Sequence, residues 1–228
     1  MATRFDAVIF DAGGVLVLPD PTVLAPLLSY YGGSESIDDH RRAHYAAMKA
    51  KSDVSAPEGS WQAYNDAYVR TVGVDDVDHA EAAEVLDRTR YHQTWRWVIP
   101  ESRSALDRMA ASGIPMGVVS NASGQIEAML GRSICQVGSG AHVSMRVIVD
   151  SQLVGVTKPD PAIFDHALPA FPEFERRRIA YVGDSVTMDI GAATAAGLHP
   201  ILLDPYDHHA GADFERIASL HALADELA

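Results

Sequence analysis

The stretch AVIFDAGGVLVLPD, residues 7–20, decides how the rest of the chain is interpreted. Four apolar residues, typical of a buried strand, end at the carboxylate of Asp11, and the chain then turns through Gly13 and Gly14. Ligands of open parallel sheets bind beyond the carboxyl ends of the strands, so an acid at such an end is a candidate for chemistry. The position two residues after Asp11 carries no second acid, because it is Gly13.

The sequence beyond residue 98 alternates between helical patterns and short apolar runs. This alternation predicts crossover units and an α/β fold, a doubly wound parallel sheet with a Rossmann-like core. The predicted strands are PMGVVSN (115–121), HVSMRVIVDS (142–151), RRIAYVGDS (177–185) and HPILLD (199–204), and the predicted helices cover residues 101–112, GQIEAMLGR (124–132), DPAIFDHALPAF (160–171), TMDIGAATAAG (187–197) and 213–227.

Residues 20–98 have a different character, with apolar groups at helical spacing and breaks rich in Gly, Pro, Ser and Asp. This block stands between the first strand and the others, so we interpret it as an inserted helical cap domain. The predicted organisation is a core of residues 1–19 and 99–228 and a cap of residues 20–98, with hinges near LPDP (18–21) and VIPE (98–101).

Composition excludes several classes of partner. The 228 residues are 47% hydrophobic and carry a net charge of −13, so the chain can bury a large core and repels nucleic acid and anionic membranes. The single cysteine, Cys135, excludes an internal disulfide and is typical of a reducing compartment. With no secretory pattern after Met1 and no apolar run of about 18 residues, we expect a cytoplasmic protein. No pattern indicates an oligomeric state.

Polar residues follow three of the predicted strands, at Asp11, Ser120–Asn121 and Asp184. Asp189, five residues beyond Asp184, falls in the first turn of the next helix and can turn back to the same crevice. Three carboxylates of this kind suit Mg²⁺, which uses a few carboxylates and leaves its other positions to water and phosphate. Lys158 adds a positive charge suited to a phosphoryl oxygen.

The segments FDAGGVL, VVSNAS, TKPDPAIF and YVGDSVTMDIGAATAAG resemble, in order, the four motifs of the haloacid dehalogenase superfamily. The core resemblance covers residues 5–20 and 100–204, and residues 20–98 resemble the family's cap in position, size and helicity. The resemblance implies a hydrolase with a Mg²⁺ cofactor and a small phosphorylated substrate.

The implied roles attach to the residues that match those motifs. Asp11 matches the nucleophile that forms an aspartyl intermediate, and Ser120 and Lys158 match the groups that bind the transferring phosphoryl group, with Asn121 beside them as a substrate-binding residue. The implied metal ligands are Asp11, the backbone carbonyl of Gly13, Asp184 and Asp189. Carboxylate attack divides the hydrolysis into two easier displacements.

Phosphatases that resemble this chain usually have an aspartate, their general acid, where this sequence has Gly13. Losing positioned proton transfer costs about 10²–10⁴ in rate. The sequence therefore favours a phosphatase with another source of protons, and leaves open a C–P hydrolase of the phosphonoacetaldehyde type or a phospho-ligand binding protein of low activity. Dehalogenases resemble the first motif but work without the metal, and their fourth motif lacks the Gly-Asp found here at residues 183–184, which argues against dehalogenation.

The cap carries no readable motif, so its residues are interpreted from helical spacing alone. A C–P hydrolase needs a cap lysine, for which Lys49 and Lys51 are candidates, although both are typical of a solvated helix face. His40 and His44 have the i, i+4 spacing of zinc ligands, but without a third ligand we expect them to be solvated or to pack in the cap. The helical stripe Trp61, Tyr64 and Tyr68 predicts cap core.

Overall fold

The computed structural model describes residues 4–227. The strands within that range fall in chain order on both sides of the cap segment. They are β1 (Ala7–Phe10), β2 (Val17–Pro19), β3 (Trp95–Val98), β4 (Met116–Ser120), β5 (Cys135–Val137), β6 (Val143–Met145), β7 (Ile148–Asp150), β8 (Ile179–Gly183), β9 (His199–Leu203) and β10 (Arg216–Ile217).

The α-helices form two groups, one between β2 and β3 and one after β3. They are α1 (Pro21–Ser29), α2 (Ile37–Asp53), α3 (Gln62–Thr71), α4 (His79–Thr89), α5 (Pro100–Ala111), α6 (Ile126–Leu130), α7 (Ser151–Val154), α8 (Gly191–Ala195) and α9 (Leu220–Glu226), with 3₁₀ segments at His92–Thr94, Pro161–His166, Leu168–Ala170 and Arg176–Arg178 and a π-helical turn at Val186–Ile190. None of the helices in the described part of the chain has the length and hydropathy needed to cross a bilayer.

The centre of the fold is a sheet in the order β10-β9-β8-β1-β4-β7, and every pair in it is parallel. Alternate residues of β1 point to opposite faces, so Val8 and Phe10 belong to one apolar cluster and Ala7 and Ile9 to another. Both faces are covered, as expected for parallel strands whose crossovers are helical. The predicted doubly wound α/β core is therefore confirmed.

Helices α1 to α4 pack on one another around a third apolar cluster, which includes Leu24, Tyr64 and Tyr68. The chain enters and leaves this helical cap through β2 and β3, which pair antiparallel with Val17 opposite Val98. The proposed boundaries at residues 19/20 and 98/99 lie at this ribbon, and the division into two domains stays a prediction.

Two segments at the edges of the cap and sheet differ from the predicted elements. Residues 95–98, placed at the end of the helical block, form β3, because the aromatic and β-branched sequence WRWV pairs with β2. The predicted strand over 142–151 is two strands: β6 pairs with β5 in a small separate sheet, and β7 joins the main sheet. The sequence could not distinguish one long strand from two short ones of similar composition.

Two predicted helices are also shorter or tighter in the structure. The helix predicted over 160–171 begins as expected, with Asp160 Oδ1 accepting from the backbone of Ala162 at 2.9 Å, but forms two 3₁₀ segments, the second beginning at Leu168 and Pro169. The last helix covers only Leu220–Glu226, because residues 216 and 217 pair with β9 as an edge strand.

Candidate active site

The neighbouring strands β8, β1 and β4 end at the same edge of the sheet, and the predicted polar residues follow them there. The backbone N–H of Asp11 still donates to the carbonyl of Val182 on β8, at 2.8 Å, so Asp11 is the first residue beyond the ladder. Ser120 is the last residue of β4, and Asp184 follows β8 directly. The parallel register of three strands therefore brings together residues separated by up to 173 positions in the sequence.

Three carboxylates converge at this edge. One oxygen each from Asp11, Asp184 and Asp189 lies within 4.8 Å of the others. The π-helical turn after Ser185 directs Asp189 back toward the strand ends, where its Oδ2 accepts from the backbone N–H of Ser185 at 3.0 Å. Asp189 is fully buried, and the Asp11 side chain is 13% exposed. Asp11 is thus the member of the cluster most open to a ligand.

Lys158 supplies the positive charge next to these acids. Its Nζ lies 3.0 Å from Asp11 Oδ2 and 2.7 Å from Asp189 Oδ1, and it donates to the hydroxyl of Tyr181 at 2.7 Å. The lysine is 1% exposed. Burial opposes its charge, but the carboxylates of Asp11 and Asp189 outweigh that effect and raise the pKa of Lys158. It therefore acts as a fixed cation.

Two acids of the cluster, Asp11 and Asp184, have pKa values above those of isolated carboxyl groups. Burial, reinforced by the charges of Asp189 and Asp184 and opposed by Lys158, raises the pKa of Asp11 to about 7. Burial also raises the pKa of Asp184, against a hydrogen bond from His44 that lowers it. Three acids beside one lysine leave an excess of negative charge, which a bound cation would relieve.

Two glycines make room for the carboxylates. A Cβ at Gly14, whose φ is +69°, would lie 1.8 Å from Asp184 Oδ2, and a Cβ at Gly183 would lie 2.2 Å from the carboxyl carbon of Asp189. Only a residue without a side chain permits these approaches. The Gly-Gly and Gly-Asp pairs of the sequence thus shape the acid cluster.

Gly13, the position at which the resemblance would place a general acid, is covered by an aromatic ring. A Cβ at Gly13 would lie 3.0 Å from Cζ3 and 3.3 Å from Cε3 of Trp95, the first residue of β3. These distances are shorter than ordinary carbon–carbon contacts. Trp95 therefore leaves little room for the Cβ of any other residue at position 13.

Ser120 and Asn121 have different surroundings. Both line the cavity, and among residues 4–227 no group hydrogen-bonds the hydroxyl of Ser120. The amide of Asn121, by contrast, donates to the Lys158 carbonyl at 3.0 Å and accepts from the Lys158 N–H at 2.8 Å. Asn121 thus holds the backbone that positions the lysine, and its predicted contact with substrate stays a prediction.

A cavity of about 520 Å³ lies between the strand ends and the cap. The core contributes Asp11, Ser120 and Lys158 to the lining of this cavity. The cap segment contributes further lining residues. These are Met48, Lys51, Glu58, Trp61, Arg90 and Trp95.

One cap residue contradicts its interpretation from helical spacing, and two others make contacts beyond those expected. Lys51 is not solvated: it is 1% exposed and lines the cavity, whereas Lys49 pairs with Asp53 at 2.6 Å on the surface. Tyr64 and Tyr68 are cap core as predicted, and Trp61 packs against that core but also lines the cavity. Helical spacing identifies a face but not what that face packs against.

His44 packs in the cap, one of the two outcomes expected for it, and it also links the cap directly to the acid cluster. Its Nε2 lies 2.9 Å from Asp184 Oδ2 and its Nδ1 lies 2.9 Å from the Tyr64 hydroxyl. The next residue, Tyr45, donates to the Gly14 carbonyl at 2.7 Å. His40 packs inside the cap as expected, against Tyr68. No sequence signal indicated that His44 contacts Asp184, because the two residues are 140 positions apart.

The donor set fits a hard divalent cation. All three acids offer oxygen, the ligand atom that Mg²⁺ prefers, and two glycines are needed to bring them together. Within residues 4–227 only His44 forms a hydrogen bond with the Asp184 carboxylate, through Oδ2, and Asp189 Oδ2 accepts a single hydrogen bond. These oxygens retain lone pairs for a cation, although Lys158 occupies part of the remaining capacity of Asp11 and Asp189.

A parallel α/β sheet with acids and a lysine at its carboxyl edge, under a helical cap, defines a class of hydrolases. Known proteins match this chain accordingly. The model of the haloacid dehalogenase-like hydrolase family matches residues 5–197, and the chain therefore belongs to that hydrolase family. The resemblance inferred from the four motifs is confirmed.

Individual relatives support this assignment. The haloacid dehalogenase-like hydrolase domain-containing protein 3 of Homo sapiens is 30% identical over 149 residues, which span 63% of this chain and only 56% of the relative. Phosphatase MT3486 of Mycobacterium tuberculosis is 24% identical over 96% of both chains. The magnesium-bound structure of the HAD-hydrolase YfnB from Bacillus subtilis covers 98% of this chain and 99% of its own, with a TM-score of 0.60 and 18% identity, and so shares the fold.

Proposed function

We propose that this protein is a Mg²⁺-dependent phosphatase that hydrolyses a small phosphorylated metabolite through an aspartyl-phosphate on Asp11. The observation that carries the proposal is the contact between a partly open carboxylate and a buried lysine, Asp11 Oδ2 to Lys158 Nζ at 3.0 Å, inside a cluster of acids. A phosphatase relative and a magnesium-bound structural neighbour agree with it.

In the first step, a carboxylate oxygen of Asp11 attacks phosphorus, and the bond to the leaving oxygen breaks with its electron pair on that oxygen. In the second step, water attacks the same phosphorus, so that phosphate leaves and the Asp11 carboxylate is regenerated. Lys158 balances charge on the phosphoryl oxygens, and the free hydroxyl of Ser120 donates to one of them. Asn121 keeps Lys158 in place through two backbone contacts.

A Mg²⁺ ion held by Asp11, Asp184, Asp189 and the backbone carbonyl of Gly13 would neutralise phosphoryl charge at this site. The leaving oxygen takes its proton from water, because residue 13 is a glycine, covered by Trp95, and supplies no acid. This arrangement favours substrates with good leaving groups. The cap closes over the cavity, excludes bulk water and selects the substrate.

The test is phosphate release from an aryl phosphate with and without Mg²⁺. Asp11→Asn and chelation of the metal each abolish release, whereas Asp165→Asn, on an exposed acid of the core, leaves release unchanged. Mass spectrometry of a rapid acid quench detects phosphate on Asp11. Equal activity in the Asp11→Asn variant refutes the covalent mechanism, and thermal stabilisation by phosphate esters without release indicates a binding protein.

One observation favours C–P hydrolysis as a second candidate: a cap lysine does line the cavity. Burial lowers the pKa of Lys51 to about 8, which increases the fraction of free amine. The amine condenses with an aldehyde and releases water, and Asp11 then attacks phosphorus while the C–P electron pair enters the resulting enamine. Borohydride trapping of phosphonoacetaldehyde on Lys51, absent in Lys51→Met, would establish this activity in place of ester hydrolysis.

A further inference from the structure

Two cations line the cap side of the cavity, and neither belongs to the motifs of the core. Lys51 lies on α2 and Arg90 directly follows α4. Lys51 is 1% exposed and the Arg90 side chain is 5% exposed. We call these two residues the cap cation pair. In a chain with a net charge of −13, two buried cations facing one cavity require an explanation.

A single indole ring brings the pair together. The Nζ of Lys51 lies 3.4 Å from the centre of the Trp61 ring, and the guanidinium carbon of Arg90 lies 4.0 Å from the same centre. The guanidinium is also 5.3 Å from the ring of Tyr64. Contacts of this kind stabilise a cation without neutralising it. The indole ring therefore leaves both positive charges unneutralised, although Arg90 also pairs with Asp87 at 3.0 Å.

The surrounding polar groups hold the pair in place but leave hydrogen-bond donors free. Arg90 donates through one terminal nitrogen to Asn65 at 3.1 Å and to Asp87 at 3.0 Å, while its Nε is buried without a partner among residues 4–227. Lys51 donates to the backbone carbonyl of Glu58 at 2.8 Å, the single hydrogen bond of its ammonium group within that range. An unpaired buried donor is costly, so the arrangement is that of a binding site rather than a completed core.

The charge of this region indicates which ligand group fits it. Glu58 also lines the cavity, yet within the described chain its carboxylate forms no ion pair with either cation. The two cations face Glu58 and the exposed carboxylate of Asp87, which pairs with Arg90 at 3.0 Å, so the region carries little net positive charge and matches one carboxylate better than a dianionic phosphate. The rings of Trp61 and Trp95 provide apolar walls beside it.

We propose that the cap cation pair, Lys51 and Arg90, binds a carboxylate at the end of the substrate remote from the phosphoryl group. This inference rests on the proposed phosphatase function and narrows its substrate class to small phosphorylated carboxylic acids. Recognition by charge at one end and by the acid cluster and Lys158 at the other end orients the substrate across the cavity.

The first experiment needs no variant. It compares kcat/KM of the wild-type protein with Mg²⁺ on three matched alkyl phosphates whose far end is a carboxylate, a carboxamide or a second phosphate. We expect the carboxylate to exceed the carboxamide by about 10- to 100-fold, the range of hydrogen bonds to charged groups. Equal values, or preference for the second phosphate, overturn the proposal.

The second experiment locates the effect. Lys51→Met and Arg90→Met are expected to reduce the carboxylate-to-carboxamide ratio toward one. Lys49→Met and Arg88→Met, which change surface cations on α2 and α4 that pair with Asp53 and Glu84, leave the ratio unchanged. A ratio that survives in both cavity variants, with melting temperatures that show folded protein, overturns the assignment to these residues.

A binding measurement separates this proposal from the phosphatase proposal. Calorimetry on the Asp11→Asn variant, with the same three compounds and Mg²⁺, reports recognition without turnover. Tighter binding of the carboxylate by about tenfold or more supports the cap cation pair even if no phosphate is ever released. If the wild type releases phosphate from none of the esters, the phosphatase function is refuted. The assignment of the carboxylate site is then still decided by the binding measurement.

Discussion

Placing an aspartate at position 13 tests whether Trp95 is the physical reason that this chain has glycine there. In Gly13→Asp the new Cβ would lie 3.0 Å from Cζ3 of Trp95, so the ring must move by several tenths of an ångström before the carboxyl group finds room. Overpacking of this kind costs about 1–3 kcal/mol of folding stability. We therefore expect the single variant to lose that stability without gaining activity.

Removing the ring as well should reverse the outcome. In the double variant Gly13→Asp/Trp95→Leu the carboxyl group has space, and we expect kcat on an alkyl phosphate to rise about 10²-fold, the lower end of the range of about 10²–10⁴ that positioned proton transfer provides. An aryl phosphate, whose leaving group needs no proton, should respond little. The assay is phosphate release on both substrates, with Trp95→Leu alone as the control.

Denaturation of the wild type, the two single variants and the double variant measures the free energy of the clash between position 13 and Trp95. This measurement requires no turnover. If the ring excludes the acid, the stability cost of Gly13→Asp falls when Trp95 is already leucine, with a coupling free energy of about 1 kcal/mol or more. Additive costs, or a gain in activity by Gly13→Asp alone at unchanged stability, would refute the reasoning.

Three other predictions concern Gly14, the contact of His44 with Asp184, and the buried Lys51. Gly14→Ala should cost about 1–3 kcal/mol and displace Asp184, so phosphate release is lost, whereas Gly113→Ala, at φ +77° with open space, costs stability alone. His44→Leu removes a hydrogen bond from Asp184 and should lower both phosphate release and the free energy of unfolding, the latter by about 1–3 kcal/mol in urea. Burial lowers the pKa of Lys51 from 10.5 to about 8, so between these pH values the unfolded chain binds a proton that the folded chain does not. The free energy of unfolding should therefore rise with pH across that window by up to about 3 kcal/mol, and Lys51→Met should remove the rise; an identical pH dependence in the variant would contradict it.

Much of the core was predictable because its signals are local. Asp11 and Asp184 each follow an apolar run that can only be a buried strand, and parallel strands necessarily bring their carboxyl ends to one edge. Asp189 was predicted because it stands five residues beyond Asp184, in the first turn of the next helix. Lys158 was predicted from the motif TKPDPAIF around it. Contacts of Lys158 with Asp11 and Asp189 agree with that reasoning, although the roles of these residues stay predictions.

The cap was predictable as helices but not as one wall of a site. Helical spacing placed Lys51 on an amphipathic face, where a lysine is usually solvated, and it placed Trp61 in a stripe typical of a core. Which face meets the cavity depends on how four helices pack against the sheet, and that packing is decided by contacts such as Tyr45 with Gly14, far apart in sequence.

The sequence by itself thus determined an alternating α/β core, an inserted helical segment and a set of acids at the strand ends, because periodicity and strand termini are properties of neighbouring residues. Only the tertiary structure decided that Trp95 covers Gly13, that His44 reaches Asp184 and that Lys51 and Arg90 share one indole ring. Those contacts join residues brought together by docking of the cap, and the shape and charge of the docked surfaces, rather than any local pattern, determine them.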